Sequence, residues 1–360
     1  MSTTTPARVV VVDDSALMRN IVTRSLTRAG IEVVGSAGDG DEALALCERE
    51  RPDAMTLDLT MPGLDGLGVL RALRSRSDSN IPVVVVSAFS AAHGARAVDA
   101  LAEGAFDLVS KPTATESLEA FIENLGAKVK LAAASRRKRR PPHNGGALTP
   151  IPPAAPAHGS PGFTPRPRST AATSAKVVMI ATSTGGPRAL ASLVPKLPAP
   201  LGAGTLIVQH MPAGFTGSLA ARLDASSALE VREATGGETL DARTALLAPG
   251  GRHLRLAGDG RTILTDEPAV GGLRPRADLL IEDAARVYGE RMVLVVLTGM
   301  GSDGLSGARE VSRRGGRILV ESEETCTVFG MPRAIVDAGL ADDVLDLSRL
   351  AEAIANEAGA

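Results

Sequence analysis

Val177-Val178-Met179-Ile180-Ala181-Thr182-Ser183-Thr184-Gly185-Gly186-Pro187 is an apolar, β-rich run that stops in a polar, glycine-rich turn. A helical pattern follows, from Arg188 to Leu197. The glycines permit a sharp turn, and proline suits the first turn of a helix. Similar short runs recur downstream at Leu206–Val208, Met292–Leu297 and Arg317–Val320. Upstream they lie at Val9–Val12, Ile31–Val34, Ala54–Leu57, Val83–Val86 and Phe106–Val109, separated by helical patterns such as Ala16 to Ala29 and Glu42 to Arg49. Short, wholly apolar strands alternating with helices imply parallel sheets covered on both faces. The expected fold class is therefore α/β, with two doubly wound parallel-sheet domains. Between Glu230 and Thr265 the pattern changes to short strands with glycine-rich turns, expected to form hairpins.

The 360 residues suit two domains, and an apolar fraction of 44% lets each bury a core. From Ala132 to Ala175 the chain is rich in Pro, Ala, Ser and Gly, and it carries the basic run Arg136-Arg137-Lys138-Arg139-Arg140. With no helical or strand period, this stretch reads as a flexible linker, so the expected units are residues 1–131, the linker 132–175, and residues 176–360. A net charge of −2 gives no general drive toward nucleic acid or anionic membrane. Scarce aromatics and absent tryptophan argue against base-stacking surfaces. Two cysteines, Cys47 and Cys326, exclude a disulfide framework and fit a reducing compartment. No signal peptide is read at the N-terminus, and no apolar run approaches the ~20 residues of a membrane helix, so a cytoplasmic protein is expected.

In a doubly wound sheet, chemistry gathers at the carboxyl ends of the strands. In the first region those ends carry Asp13 and Asp14, Asp58, Ser87, and Lys111 with Pro112. Carboxylates held close together repel one another unless a cation sits among them, and hard oxygen ligands suit Mg²⁺. A lysine and a hydroxyl beside them can bind the oxygens of a phosphoryl group. Taken singly, each of these acids could equally cap a helix; the set, in this order on alternating strands, favours the pocket.

In the second region Ser183 lies at a strand end beside the N–H groups of a helix start, which can stabilise an oxyanion. It could also be a plain N-cap, or the glycines could hold a phosphate. A serine nucleophile needs a base. Of five histidines, His143 and His158 fall in the linker and His93 in the first domain. His210 ends the strand Leu206–Val208 and is favoured over His253, which follows Pro249-Gly250-Gly251 and suits a turn or binding surface. The strand Met292–Leu297 ends in Thr298-Gly299-Met300-Gly301-Ser302-Asp303-Gly304, which can bring Asp303 to the imidazole or leave it as a helix cap. The chain order Ser, His, Asp differs from the Ser, Asp, His of α/β-hydrolases.

From Arg8 to Leu131 the sequence resembles the response-regulator receiver family, through Val11-Val12-Asp13-Asp14-Ser15, Asp58 ahead of Met61-Pro62-Gly63, Asp65-Gly66, Ser87-Ala88 and Lys111-Pro112. The resemblance implies a flavodoxin-like domain in which Asp58 accepts phosphate from a histidine kinase, Asp13, Asp14 and Asp58 hold Mg²⁺, and Ser87 and Lys111 read the phosphate. Phe106 matches the aromatic switch of many receivers or is plain core packing. From Lys176 to Leu350 the sequence resembles the catalytic domain of the chemotaxis protein-glutamate methylesterases. The matching segments are Ser183-Thr184-Gly185-Gly186-Pro187, Gln209-His210-Met211-Pro212, Ala248-Pro249-Gly250, Thr298 to Gly304, and Phe329-Gly330-Met331-Pro332.

That second resemblance implies a Rossmann-like serine esterase with a hairpin insertion. It implies Ser183 as nucleophile, His210 as base, Asp303 as its orienter, and backbone groups of Thr184 and Met300 at the oxyanion, with no cofactor in the esterase site. The substrate would be methylated glutamates on chemoreceptor cytoplasmic domains, and receptor glutamines would be deamidated at the same site. Two departures from the family are a long basic linker and Thr60 where many relatives carry an acid. The rival readings are a DNA-binding response regulator, whose basic run touches phosphates, and a receiver joined to a catalytically inactive binding module.

Overall fold

The computed structural model describes residues 5–75, 81–88, 91–112, 117–139 and 175–359. The first unit runs β1 (Arg8–Val12), α1 (Ala16–Arg28), β2 (Glu32–Ala37), α2 (Gly40–Glu50), β3 (Ala54–Leu57), α3 (Gly66–Ser75), β4 (Val83–Ser87), α4 (Ala91–Ala102), β5 (Asp107–Ser110) and α5 (Leu118–Arg139). Its strands are parallel in the order β2-β1-β3-β4-β5. Alternation along β1 serves both faces. Val9 and Val11 pack with Val22 and Leu26 of α1 and Phe121 and Leu125 of α5, while Val10 and Val12 face the side of α2 and α3. Phe106 is buried in the α1–α5 cluster, which is the packing alternative read from the sequence.

The second unit runs β6 (Val177–Thr182), α6 (Gly186–Leu193), β7 (Thr205–Gln209), α7 (Thr216–Asp224), β8 (Glu230–Glu233), β9 (Thr244–Leu247), β10 (His253–Leu256), β11 (Thr262–Thr265), α8 (Ala277–Tyr288), β12 (Met292–Val296), α9 (Leu305–Arg313), β13 (Arg317–Glu321), α10 (Met331–Asp337), β14 (Asp343–Leu345) and α11 (Leu347–Ala358). Seven strands form one parallel sheet in the order β14-β13-β12-β6-β7-β9-β8. The order reverses beside β6, so the crevice between the loops after β6 and β12 is where a doubly wound sheet binds its ligand. Both expected α/β sheets are thus present.

Two expectations need correction. The segment from Glu230 to Thr265 is only half hairpin: β10 and β11 pair antiparallel, but β8 pairs parallel with β9 and extends the main sheet. Short strands do not reveal their partners. The linker does not begin at Ala132 either. Helix α5 continues to Arg139, and Ala132 and Ala133 are buried in the first domain's core. Ala, Lys and Arg are strong helix formers, so the composition there suits a helix as well as a linker. The remainder of the expected linker, with Arg140, His143 and His158, lies outside the described residues up to residue 174.

The two units touch. Helix α4 packs against α6 and α7, and Asp99 pairs with Arg222 at 2.5 Å. Gly94 lies so close to the Gly214 carbonyl that a Cβ there would sit 2.5 Å from its oxygen.

Candidate active site

In the sheet register Thr182 is paired with Gln209 and Ala181 with Val296. Ser183 and His210 are each the next residue along, so they emerge side by side at the carboxyl edge. Backbone bonds lock the turn: Ser183 N–H donates to Thr298 O (3.0 Å) and His210 N–H to Thr182 O (3.1 Å). The Gln209 amide donates to Ser183 O (2.9 Å) and to His210 O (3.0 Å). Gly185 has a left-handed φ of 79°, and a Cβ there would overlap Thr327. At Gly186 it would overlap the Gln209 and Thr182 side chains. Both glycines are required by close approach as well as by the turn.

His210 Nε2 lies 2.7 Å from Asp303 Oδ2. Since the carboxylate can only accept, Nε2 carries the proton. Nδ1 is buried and has no partner among the described residues. It is therefore the nitrogen open to a serine proton, the reverse of the ring orientation in the chymotrypsin triad. The structure brings Ser183, His210 and Asp303 to one crevice. The N–H groups of Thr184 and Met300, the expected oxyanion donors, donate to no backbone acceptor among the described residues. Met300 is 44% exposed at the mouth.

Asp303 is held by groups that sequence reasoning missed. The N–H groups of Ala277 (2.7 Å) and Asp278 (3.0 Å), at the start of α8, donate to its carboxylate. The Arg276 guanidinium is 3.4 Å away. Burial would raise the Asp303 carboxyl, but His210 and these N–H groups outweigh it and hold it well below the usual carboxylate range. Thr298 is a second missed residue. Its carbonyl also accepts from Thr182 Oγ1 (2.9 Å), its hydroxyl donates to Thr184 O (2.8 Å), and its N–H donates to the fully buried Glu321 (2.8 Å). Burial lifts the Glu321 carboxyl above its ordinary range. An acid in a first helical turn, as at Asp278, was the only sequence signal for any of these.

His253, expected in a turn or at a binding surface, directly follows a turn at the start of β10 but is not at a surface. It is fully buried, its Nδ1 accepting from Arg276 N–H (3.2 Å) and its Nε2 donating to Pro268 O (3.2 Å). It fixes the loop that leads into α8.

At the carboxyl edge of the first sheet, Asp13, Asp14 and Asp58 place carboxylate oxygens within 4.8 Å of one another. Lys111 Nζ bridges Asp13 and Asp58 at 2.7 Å each. Burial lifts the Asp13 carboxyl above its ordinary range despite Lys111. Burial alone would lower Lys111, but its two carboxylate partners raise it. The Ser87 hydroxyl is fully buried with no partner among the described residues, and Thr60 is exposed. Asp107, on β5, reaches the other unit: Thr184 Oγ1 donates to its carboxylate at 2.6 Å, and Lys128 holds the same carboxylate at 3.0 Å.

Two family models match the chain. One described as CheB methylesterase covers residues 178–354, and one described as Response regulator receiver domain covers residues 9–123. A protein-glutamate methylesterase/protein-glutamine glutaminase of Symbiobacterium thermophilum is 42% identical over 98% of this chain and 98% of its own length. One from Myxococcus xanthus is 45% identical over 95% of each. Among solved structures, the CheB methylesterase catalytic domain of Thermotoga maritima is 42% identical and covers 51% of this chain and 99% of its own, with a TM-score of 0.49. The CheB methylesterase family-model match over residues 178–354 displaces the rival reading of a DNA-binding domain.

Proposed function

Since this chain belongs to the family of CheB methylesterases, with a receiver domain ahead of the catalytic one, we propose that Ser183, His210 and Asp303 carry its esterase chemistry. The observation that supports this most is the 2.7 Å His210–Asp303 bond, with Nδ1 left without a partner among the described residues and His210 following β7 at the same sheet edge where Ser183 follows β6. Ser183 Oγ attacks the carbonyl carbon of a glutamyl methyl ester as His210 Nδ1 takes its proton. The Thr184 and Met300 N–H groups receive the oxyanion. The imidazolium returns the proton to the departing methoxide, giving methanol. Water, deprotonated by His210, then releases the glutamate. For a glutamine side chain the leaving group is ammonia and the steps are the same.

The receiver half supplies control. Asp58 is the phosphate acceptor, served by a histidine kinase. Asp13, Asp14 and Asp58 fit Mg²⁺: they are an oxygen-only set with one lysine for three carboxylates, beside an unpartnered Ser87 hydroxyl. When bound, the ion neutralises charge on the carboxylates and the phosphoryl oxygens. Ser87 and Lys111 then hold the phosphoryl group on Asp58. In the unphosphorylated chain the receiver lies against the esterase through α4 and takes the Thr184 hydroxyl on Asp107. Phosphorylation rebiases that packing and opens the crevice to a receptor helix.

No helix among the described residues is long and apolar enough to cross a membrane; methylated chemoreceptor cytoplasmic domains, met in the cytoplasm, are the proposed substrate. The test is methanol release from a methylated receptor fragment, with and without acetyl phosphate and Mg²⁺. Stimulation in the full chain, and none in Asp58→Asn, is expected. Equal rates in all three would remove the receiver from control.

A further inference from the structure

Helices α8 and α9 start beside each other and exchange caps. Asp303, just before α9, accepts from the N–H groups of Ala277 and Asp278 in α8. In return Asp278 accepts from Gly304 and Gly307 N–H, each at 2.9 Å. A Cβ on Gly307 would lie 2.5 Å from Ile281, so the two helix starts cannot move apart or twist without opening this contact. Arg276 reaches both carboxylates, Nη2 lying 2.7 Å from Asp278 Oδ2 and Nε 3.4 Å from Asp303 Oδ1. The guanidinium is fixed in turn: Nη1 donates to Val270 O (3.1 Å), and His253 accepts from the Arg276 backbone. Asp278 and Asp303 are each 4% exposed.

We infer that Asp278 and Arg276 are positioning residues of the esterase reaction, forming with Asp303 one charge unit that sets how strongly His210 holds the proton taken from Ser183. The inference rests on the Ser183–His210–Asp303 reading. With both carboxylates ionised and Arg276 positive, the unit carries one net negative charge, and formation of the imidazolium brings the group to zero. Asp303 alone lies at the positive end of a helix, with its charge already drawn on by backbone N–H groups. The second carboxylate restores negative potential at the ring. Arg276 keeps the two buried carboxylates from forcing a proton onto one of them. Burial lifts the Asp278 carboxyl above its ordinary range; the Gly307 N–H opposes this and Asp303 reinforces it.

Among the described residues, the charged or titratable groups that meet this unit are His210 after β7 and His253 on β10. Asp107 of the receiver approaches through Thr184, one residue beyond Ser183. Asp283, paired with Arg255 of β10, and Glu282, paired with Arg286, lie a turn or more further along α8.

The test uses the full chain and reads the pH dependence, from pH 5 to 9, of Ser183 labelling by a fluorophosphonate. In that reaction the Oγ–P bond forms, fluoride leaves, and the Oγ proton passes to His210. Asp278→Asn removes a negative charge but keeps an acceptor for Gly304 and Gly307; the acid limb should move down by about half to one pH unit. Arg276→Gln should move it up by a similar amount. Arg276→Lys should restore the parent position, and the double variant Asp278→Asn/Arg276→Gln should return close to it. Rates that fall with no movement of the limb, or limbs that move the same way in both single variants, would reduce the pair to helix caps. If Asp278→Asn melts early, the comparison of Arg276→Gln with Arg276→Lys decides by itself. Failure of the unsubstituted protein to label at Ser183 would instead refute the site reading on which the inference stands.

Discussion

Both halves of this chain gather carboxylates at the carboxyl edge of a parallel sheet, and they balance the charge in opposite ways. In the receiver, Asp13, Asp14 and Asp58 crowd within 4.8 Å and one lysine bridges two of them, Asp13 and Asp58, with burial lifting Asp13. In the esterase, Asp303 and Asp278 are met by backbone N–H groups from two helix starts and by Arg276. The first cluster has more negative charge than its own lysine balances, which suits a site that must change state. The second is completed by its own chain and keeps a charged carboxylate on His210 at all times, which suits catalysis. Reversible control and constant chemistry thus follow from who supplies the counter-charge.

The widest separation between the halves should come from single substitutions at the two centres. Asp303→Asn removes the acceptor that keeps the proton on Nε2, and a loss of about 10⁴ in methanol release is expected. Ser183→Ala should lose at least ~10³ and stay folded. Asp58→Asn should keep the basal rate. If Asp58→Asn were as inactive as Ser183→Ala, the halves would not be separable in this way.

Chelation sharpens the same contrast. EDTA should abolish stimulation by acetyl phosphate, a change of up to about tenfold where the closed form dominates. It should leave basal methanol release unchanged; a basal rate that collapses in EDTA would place a metal in the esterase. A smaller effect is expected at the contact between the halves. Asp107→Ala frees the Thr184 hydroxyl, and losing one hydrogen bond, about 1 kcal/mol net, should raise the unphosphorylated rate about three- to tenfold. An unchanged rate would mean that α4 alone holds the domains together.

The smallest effect concerns an acid distant from both centres. Burial would raise Glu238, but bonds from Thr262 and Thr235 hold it down at about 2. A folded value below the unfolded one stabilises above the unfolded pKa, and that gain fades as pH falls from about 4.5 toward 2. Glu238→Gln should therefore lower Tm by ~2 to 4 °C at pH 7, with the difference from the parent shrinking below pH 4. A constant difference across pH would tie the effect to shape instead of charge.

The strand ends were legible because their signal is local: an apolar run, then a glycine, an acid or a histidine. That suffices to bring Ser183, His210 and Asp303 to one edge, and Asp13, Asp14 and Asp58 to another. Asp278, Arg276, Glu321 and Asp107 were not legible, because their roles depend on which distant element folds beside them. Asp278 reads as an ordinary acid in a first turn until α9 is set against α8. His253 was misread for the same reason, since only the fold shows that the loop before α8 closes over it. At Ala132 the error was different in kind: alanine and arginine serve a helix or a tether equally well, and the burial of Ala132 and Ala133 depends on a core far upstream.

The hydrogen bond from Thr184 to Asp107 has one more consequence. A bond shared by two sites transmits in both directions, because the thermodynamic cycle around it has no preferred sense. If phosphate on Asp58 loosens Thr184, then any molecule that seats in the crevice and draws Thr184 away must favour the phosphorylated receiver by the same factor. The methylated receptor is then an effector as well as a substrate. On that condition a heavily methylated array would bias the enzyme toward its active state, and the bias would fade as the esters are consumed.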